Sequence, residues 1–188
     1  MRRLCTAVLF LAASAVLANA QVAEFGLGGG ISNLGSKDLG SGYSLDDGWN
    51  LIFRLTVNNW TYFGQEFGYN YNRTHLKLGG ADQGGMAIHQ GFYDFLAYAT
   101  PEGSRIRPFA AGGGHFSNFV PPGASASYGQ GSNKFGVNYG GGIKIRATDK
   151  FLFRVDFRQF LQGKPFDLPG VSGTLRINQF SAGVSFFL

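Results

Sequence analysis

The chain has 188 residues, of which 30 are glycine, 15% are aromatic and only 14% are charged, with a mean hydropathy of −0.02. Its formal charge of +5 includes Arg2 and Arg3, and without them 14 bases face 11 acids. So small an excess, spread along the chain, gives no footing for a nucleic-acid binder, and a single cysteine, Cys5, excludes a disulfide framework.

Arg2 and Arg3 precede an apolar stretch from Leu4 to Leu17, followed by Ala18-Asn19-Ala20. A basic start, a short greasy run and a small-x-small site describe a secretory leader cut after Ala20. The stretch is too short to cross ~30 Å of hydrocarbon, and no later stretch reaches the ~18 apolar residues of a transmembrane helix. Cleavage would leave 168 residues (21–188), enough for one domain, and would remove Cys5.

From Val22 to Ile31, Phe25, Leu27 and Ile31 alternate with Glu24, Gly26, Gly28 and Gly30, which predicts a first strand. After a loop of roughly sixteen residues, Gly48–Val57 sets Trp49, Leu51, Phe53, Leu55 and Val57 against Asn50, Arg54 and Thr56. Asn58-Asn59 reads as a tight turn, and Trp60–Tyr71 as the third strand, with Phe63, Phe67, Tyr69 and Tyr71 opposite Gly64, Glu66, Gly68 and Asn70. The glycine-rich polar segment Arg73–Gly85 reads as a loop.

A fourth strand is expected over Ala87–Ala99, with Tyr93, Phe95 and Ala97 opposite Asp94, then a turn at Pro101-Glu102-Gly103 and a fifth strand over Ile106–Phe116. Ser117–Asn133, with Pro121-Pro122, is a third long loop. Strands six (Lys134–Arg146) and seven (Phe151–Phe160) are joined at Thr148-Asp149, and a fourth loop over Leu161–Gly173 leads to the last strand, Asn178–Leu188. Eight strands joined alternately by three short turns and four long loops describe an all-β, antiparallel, up-and-down barrel with both ends on the short-turn side.

A chain that enters lipid without an apolar helix must close its backbone hydrogen bonds in a barrel. The faces opposite the apolar rows carry Glu24, Arg54, Glu66, Asp94, Lys144, Arg146, Arg154, Asp156 and Arg158. Nine charges cannot line a greasy ligand pocket, which argues against a soluble lipocalin-like barrel with these faces reversed. Four acids against five bases suit a narrow lumen filled by paired side chains. Arg154-x-Asp156-x-Arg158 puts three of them on one face of one strand, and the Asn58-Asn59 hairpin brings Arg54 within a diagonal of Glu66. Trp60 and Phe151 toward the turns, and Trp49, Tyr69 and Tyr71 toward the loops, stand where interfacial girdles belong.

The last strand places Phe180, Ala182, Val184, Phe186 and Leu188 on one face and Gln179, Ser181, Gly183 and Ser185 on the other. From Ser181 onward, the spacing of Gly183, Phe186 and Leu188 resembles the C-terminal signal by which bacterial outer-membrane barrels are recognised by their assembly machinery; the usual terminal Phe is Leu188 here. Phe63-Gly64-Gln65-Glu66-Phe67-Gly68-Tyr69, Arg107-Pro108-Phe109-Ala110-Ala111-Gly112-Gly113-Gly114 and Arg154-Val155-Asp156-Phe157-Arg158 resemble strand sequences of the small outer-membrane β-barrels, such as the OmpA transmembrane domain and the OmpX group, across 21–188. That resemblance implies a monomeric transmembrane β-barrel of the bacterial outer membrane, in contact with lipid and lipopolysaccharide, whose barrel is scaffold and whose exposed loops meet a ligand.

His115-Phe116-Ser117-Asn118 also resembles the His-x-Ser-Asn motif of outer-membrane lipid A deacylases of the PagL type. A base and a nucleophile two apart on a strand share a face. In that family the motif lies near the final strands and a Glu follows; here three strands follow and the last Glu is Glu102, leaving Asp149, Asp156 and Asp167 as possible orienters. The expectation is therefore no enzyme, with His115 capping a strand at the loop interface. His75 and His89 have no carboxylate at ligand spacing, and the glycine clusters at Gly26–Gly30, Gly112–Gly114 and Gly140–Gly142 precede no helix pattern, so neither metal nor phosphate cofactor is expected. Loop bases Lys37, Lys77, Lys134 and Lys164 are candidates for lipopolysaccharide phosphates. A small-solute pore, or a lipid A deacylase-like hydrolase using His115 and Ser117, remains the alternative to a plugged barrel.

Overall fold

The computed structural model describes residues 22–34, 38–167 and 172–188; the expected leader with Ala18 and Ala20, and Lys37, lie outside these. Ten strands form in chain order: β1 (Val22–Leu34), β2 (Asp38–Gly40), β3 (Tyr43–Leu45), β4 (Gly48–Asn58), β5 (Phe63–Leu78), β6 (Ala81–Tyr98), β7 (Ile106–Val120), β8 (Ser132–Arg146), β9 (Phe151–Gly163) and β10 (Thr174–Phe187). Eight of them, β1 and β4 to β10, pair antiparallel with their neighbours around a closed circuit, β1 against both β4 and β10 and β5 against β6.

Ladder register fixes the shape. Starting at Phe135 on β8, the paired residues run through Phe116, Gly91, Tyr69, Phe53, Leu27, Val184 and Phe153 and return to β8 at Ile145, ten residues further on. A shear of ten on eight strands tilts the strands by about 40° and leaves an interior that side chains can fill. The start of β1 and the end of β10 meet at the turn end, where the Leu188 amide donates to the Ala23 carbonyl at 2.9 Å.

Alternation sorts the faces as period two requires. Phe25, Leu51, Phe53, Phe67, Phe95, Val137, Ile143, Phe153, Val155 and Phe180 are exposed on the outer wall, while Glu24, Arg54, Glu66, Asp94, Lys144, Arg154, Asp156 and Arg158 are buried inside. Inward glycines make the room. A Cβ on Gly68 would meet the Phe92 ring, one on Gly113 would meet Asp94, and one on Gly140 would meet Arg158. At Gly68 the Phe92 ring fills that space, while at Gly113 and Gly140 the carbonyls of Tyr93 and Phe157 on the neighbouring strand come closer still than Asp94 and Arg158.

Four features differ from the sequence expectation. Arg73–Gly85 is a paired β-hairpin instead of a loop: β5 and β6 run on to a turn at Gly79-Gly80, whose positive φ values of 57° and 87° suit glycine. Its polar composition hides an alternation, with Thr74 and Leu76 inward and Arg73, His75 and Lys77 outward. The first long loop holds β2 and β3, and β3 pairs with the extension of β5. Trp60 lies in the turn before β5, which starts at Phe63. The third and fourth loops are shortened by strand reaching Val120, Ser132, Gly163 and Thr174.

Candidate functional site: the filled lumen and its outer mouth

Near the turn end, four side chains from four strands close a hydrogen-bonded ring. Lys144 Nζ donates to Glu24 Oε2 at 2.6 Å and to the Tyr98 hydroxyl at 3.0 Å, Tyr98 donates to Asn58 Oδ1 at 2.9 Å, and Asn58 Nδ2 donates to Glu24 Oε1 at 2.9 Å. Below it, Arg107 pairs with Glu102 at 2.5 Å and stacks on the Tyr98 ring at 3.6 Å. Sequence reasoning missed Arg107, although its place two residues before inward Phe109 and four before Ala111 marks the same face. Arg146, expected in the lumen network, sits instead at the rim, over the Phe187 ring and 3.5 Å from Glu102, because β8 ends there.

Three acids and three bases fill the middle of the lumen. Glu66 accepts from Arg154, from Arg158 Nη2 at 2.8 Å and from Thr56 Oγ1 at 2.8 Å. Asp156 accepts from Arg54 Nη2 at 3.0 Å and from Ser181 Oγ at 3.0 Å, and lies 3.4 Å from Arg154 Nε. Asp94 pairs with Arg158 and accepts from Asn138 Nδ2 at 2.6 Å. The diagonal between Arg54 and Glu66 is 3.7 Å, since Thr56 pairs with Glu66 in the ladder. Arg154 also lies 4.5 Å from the Phe109 ring. Charges so deeply withdrawn from water persist only when paired and hydrogen-bonded, and here each acid has at least two donors.

Toward the loops, Ile52, Phe92 and Phe160 separate this cluster from a layer of amides. Gln90 Oε1 accepts from Asn70 at 3.0 Å, from Asn72 at 2.7 Å and from Gln179 at 3.1 Å, while Gln90 Nε2 donates to Ser117 Oγ at 3.1 Å. Leu34, Leu39, Leu45, Met86, Phe119 and Ile177 then form an apolar cap at the outer mouth. No residue of the amide layer or of this cap figured among the sequence candidates. Asn and Gln carry no charge to flag them, and the cap draws on segments read as loops.

His115 and Ser117 both point into the lumen. His115 is 2.7 Å from Gln162 Oε1 through Nε2 and meets the Phe160 ring edge-on at 5.0 Å, and its Nδ1 has no partner among the described residues. Ser117 is fully buried against Gln90. His115 is thus a mid-strand lumen residue and not a cap at the loop interface. Among the described residues no group of three His, Cys, Asp or Glu side chains gathers as metal ligands.

Outside, the apolar band ends in polar side chains. The Tyr69 hydroxyl is 2.6 Å from His89 Nδ1, Trp49 lies against Tyr71 at 5.8 Å, and Gln159 bridges the Tyr139 hydroxyl and Asn178. Beyond them Lys77 pairs with Asp46 at 2.6 Å, a hydrogen bond that raises the Lys77 pKa, and Lys164 lies 3.8 Å from Asp38. Two of the loop bases considered for phosphate thus already face an acid; Lys134 lies at the start of β8. At the seam, Gly183 packs where a Cβ would strike the β1 backbone, whereas Phe186 and Leu188 are exposed.

The fold recurs in known proteins. Neisserial surface protein A superposes with a TM-score of 0.62 at 14% identity, over 87% of this chain and 96% of its own. OprG from Pseudomonas aeruginosa gives 0.62 at 13% identity over 90% and 98%, and the N-terminal barrel domain of OprF from the same organism gives 0.54 at 15% over 90% and 98%. A search of curated protein sequences finds no match. The sequence profile described as "Outer membrane protein beta-barrel domain" matches residues 4–186. An eight-stranded barrel, apolar outside and ion-paired within, whose sequence fits that profile almost end to end, belongs to the outer membrane protein beta-barrel domain family and resides in the bacterial outer membrane.

Proposed function

We propose that this protein is a closed outer-membrane barrel, delivered by a leader cut after Ala20 and inserted through its C-terminal strand, that acts in the envelope through its extracellular loops instead of conducting solutes. The observation that carries the reading is the balanced central cluster, in which Arg54, Arg154 and Arg158 face Glu66, Asp94 and Asp156 across the full width of the lumen. A pore would need those charges solvated and apart. The apolar cap adds a second closure, since water has no polar partners among Leu39, Met86, Phe119 and Ile177.

Reconstitution in a planar bilayer tests this directly. The folded, SDS-resistant protein is expected to give no steady conductance, and steady openings that change when Arg154 is replaced would overturn the plug in favour of a narrow channel. A hydrolase draws less support, because His115 and Ser117 are buried in the lumen, each bonded to an amide side chain, away from the outer face where lipid lies. Ser117→Ala is accordingly expected to leave the acyl content of co-reconstituted lipid A unchanged.

A further inference from the structure

Above the apolar cap, the outer mouth holds a cavity of about 230 Å³ lined by Tyr43, Leu76, Pro121 and Phe166. The four come from separate segments: β3, β5, the turn after β7 and the short 3-10 turn Pro165–Asp167 after β9. Tyr43 and Phe166 also pack on the fully buried cluster below, so the floor is continuous with a dry core. Phe166 has a φ of 70°, and its amide donates to Ser132 Oγ at 2.8 Å. An aromatic residue holds this left-handed conformation only when its surroundings fix it, and such strain gathers at ligand clamps. Larger grooves exist on the outer wall, around Gly29 and Gly141 and around Gly91 and Gly114, but lipid chains cover that surface.

We propose that the Tyr43–Leu76–Pro121–Phe166 cavity binds a small uncharged apolar molecule from the external medium, of the size of one aromatic ring with a short alkyl substituent. The size follows from the volume: an apolar cavity of about 150 Å³ holds benzene, whereas drug-sized ligands need about 300 Å³ or more. Charge is disfavoured because, among the described residues, the lining offers no cation or carboxylate and the cluster beneath it is apolar. The site goes beyond the loop-presenting reading and needs only that the barrel fold, so it stands even if the lumen conducts.

The test uses the folded protein in lipid nanodiscs, with methyl-labelled Leu and Ile, titrated with toluene and then ethyl-, propyl-, butyl- and hexylbenzene. Affinities are referred to the free aqueous concentration and read from the Leu76 methyl shift. The expected result is saturable binding that tightens roughly fourfold with each added methylene and stops tightening once the alkyl chain outgrows the cavity. Leu76→Trp, which fills the cavity, abolishes the shift, and Tyr43→Trp does so by an independent wall if the first variant fails to fold. Affinity that keeps rising through hexylbenzene while Leu76 stays unmoved is partition into the bilayer and overturns the proposal. So does a Leu76 response that both tryptophan variants retain.

Discussion

The middle of the lumen and its outer mouth are sealed by opposite means. At mid-barrel each acid is held by named donors from other strands, so the arrangement tolerates no loss of a member. At the outer mouth Leu34, Leu39, Phe119 and Ile177 exclude water by area alone, and their burial is non-directional. The middle is specified one residue at a time and the mouth only by volume. Deleting one charge from the middle should cost far more than trimming the cap.

The largest effect is therefore expected from Glu66→Ala, which leaves Arg154 and Arg158 without their shared acceptor. A buried ion deprived of its partner costs about 3–5 kcal/mol. Urea unfolding in lipid vesicles measures the loss, and a cost below about 1 kcal/mol would show that water enters and solvates the arginines. Such a result would erase the contrast between the middle and the mouth and return the pore to consideration. At the cap, Ile177→Val removes one methylene from a fully buried side chain and is expected to cost about 1 kcal/mol by the same measurement.

The charged half was legible in the sequence because period two carries charge as openly as it carries grease. Arg154-x-Asp156-x-Arg158 announces its face, and the turn at Asn58-Asn59 sets Thr56 opposite Glu66 and hence Arg54 on its diagonal. The outer half was not legible for a matching reason. Leu39 and Leu45 belong to three-residue strands too short to show alternation, and Thr74 and Leu76 are hidden among glycines and surface charges. Pairing of β3 with β5 makes β3 and the end of β5 regular, and pairing partners 31 to 35 residues apart leave no local signal.

The smallest effect lies on the hairpin that the sequence concealed, outside the lipid, and it separates exposed ion pairs from those of the lumen. Asp82 accepts the Gly84 amide at 2.8 Å and lies 2.9 Å from His75 Nδ1. The amide hydrogen bond first, and His75 second, hold its pKa below the ordinary carboxylate value. A group that binds its proton less readily when folded stabilises the hairpin above about pH 4 and loses that contribution as the pH falls through the lowered value. Amide exchange at Gly84 should accordingly speed up, relative to the intrinsic rate, on acidification, and Asp82→Asn should flatten that response. The barrel ladder should not follow, because the exposed carboxylate is more than half open to solvent and bears on its own turn alone. If protection across β5 to β9 fell together with Gly84, the hairpin and the lumen would form one cooperative unit instead of two separately held ends.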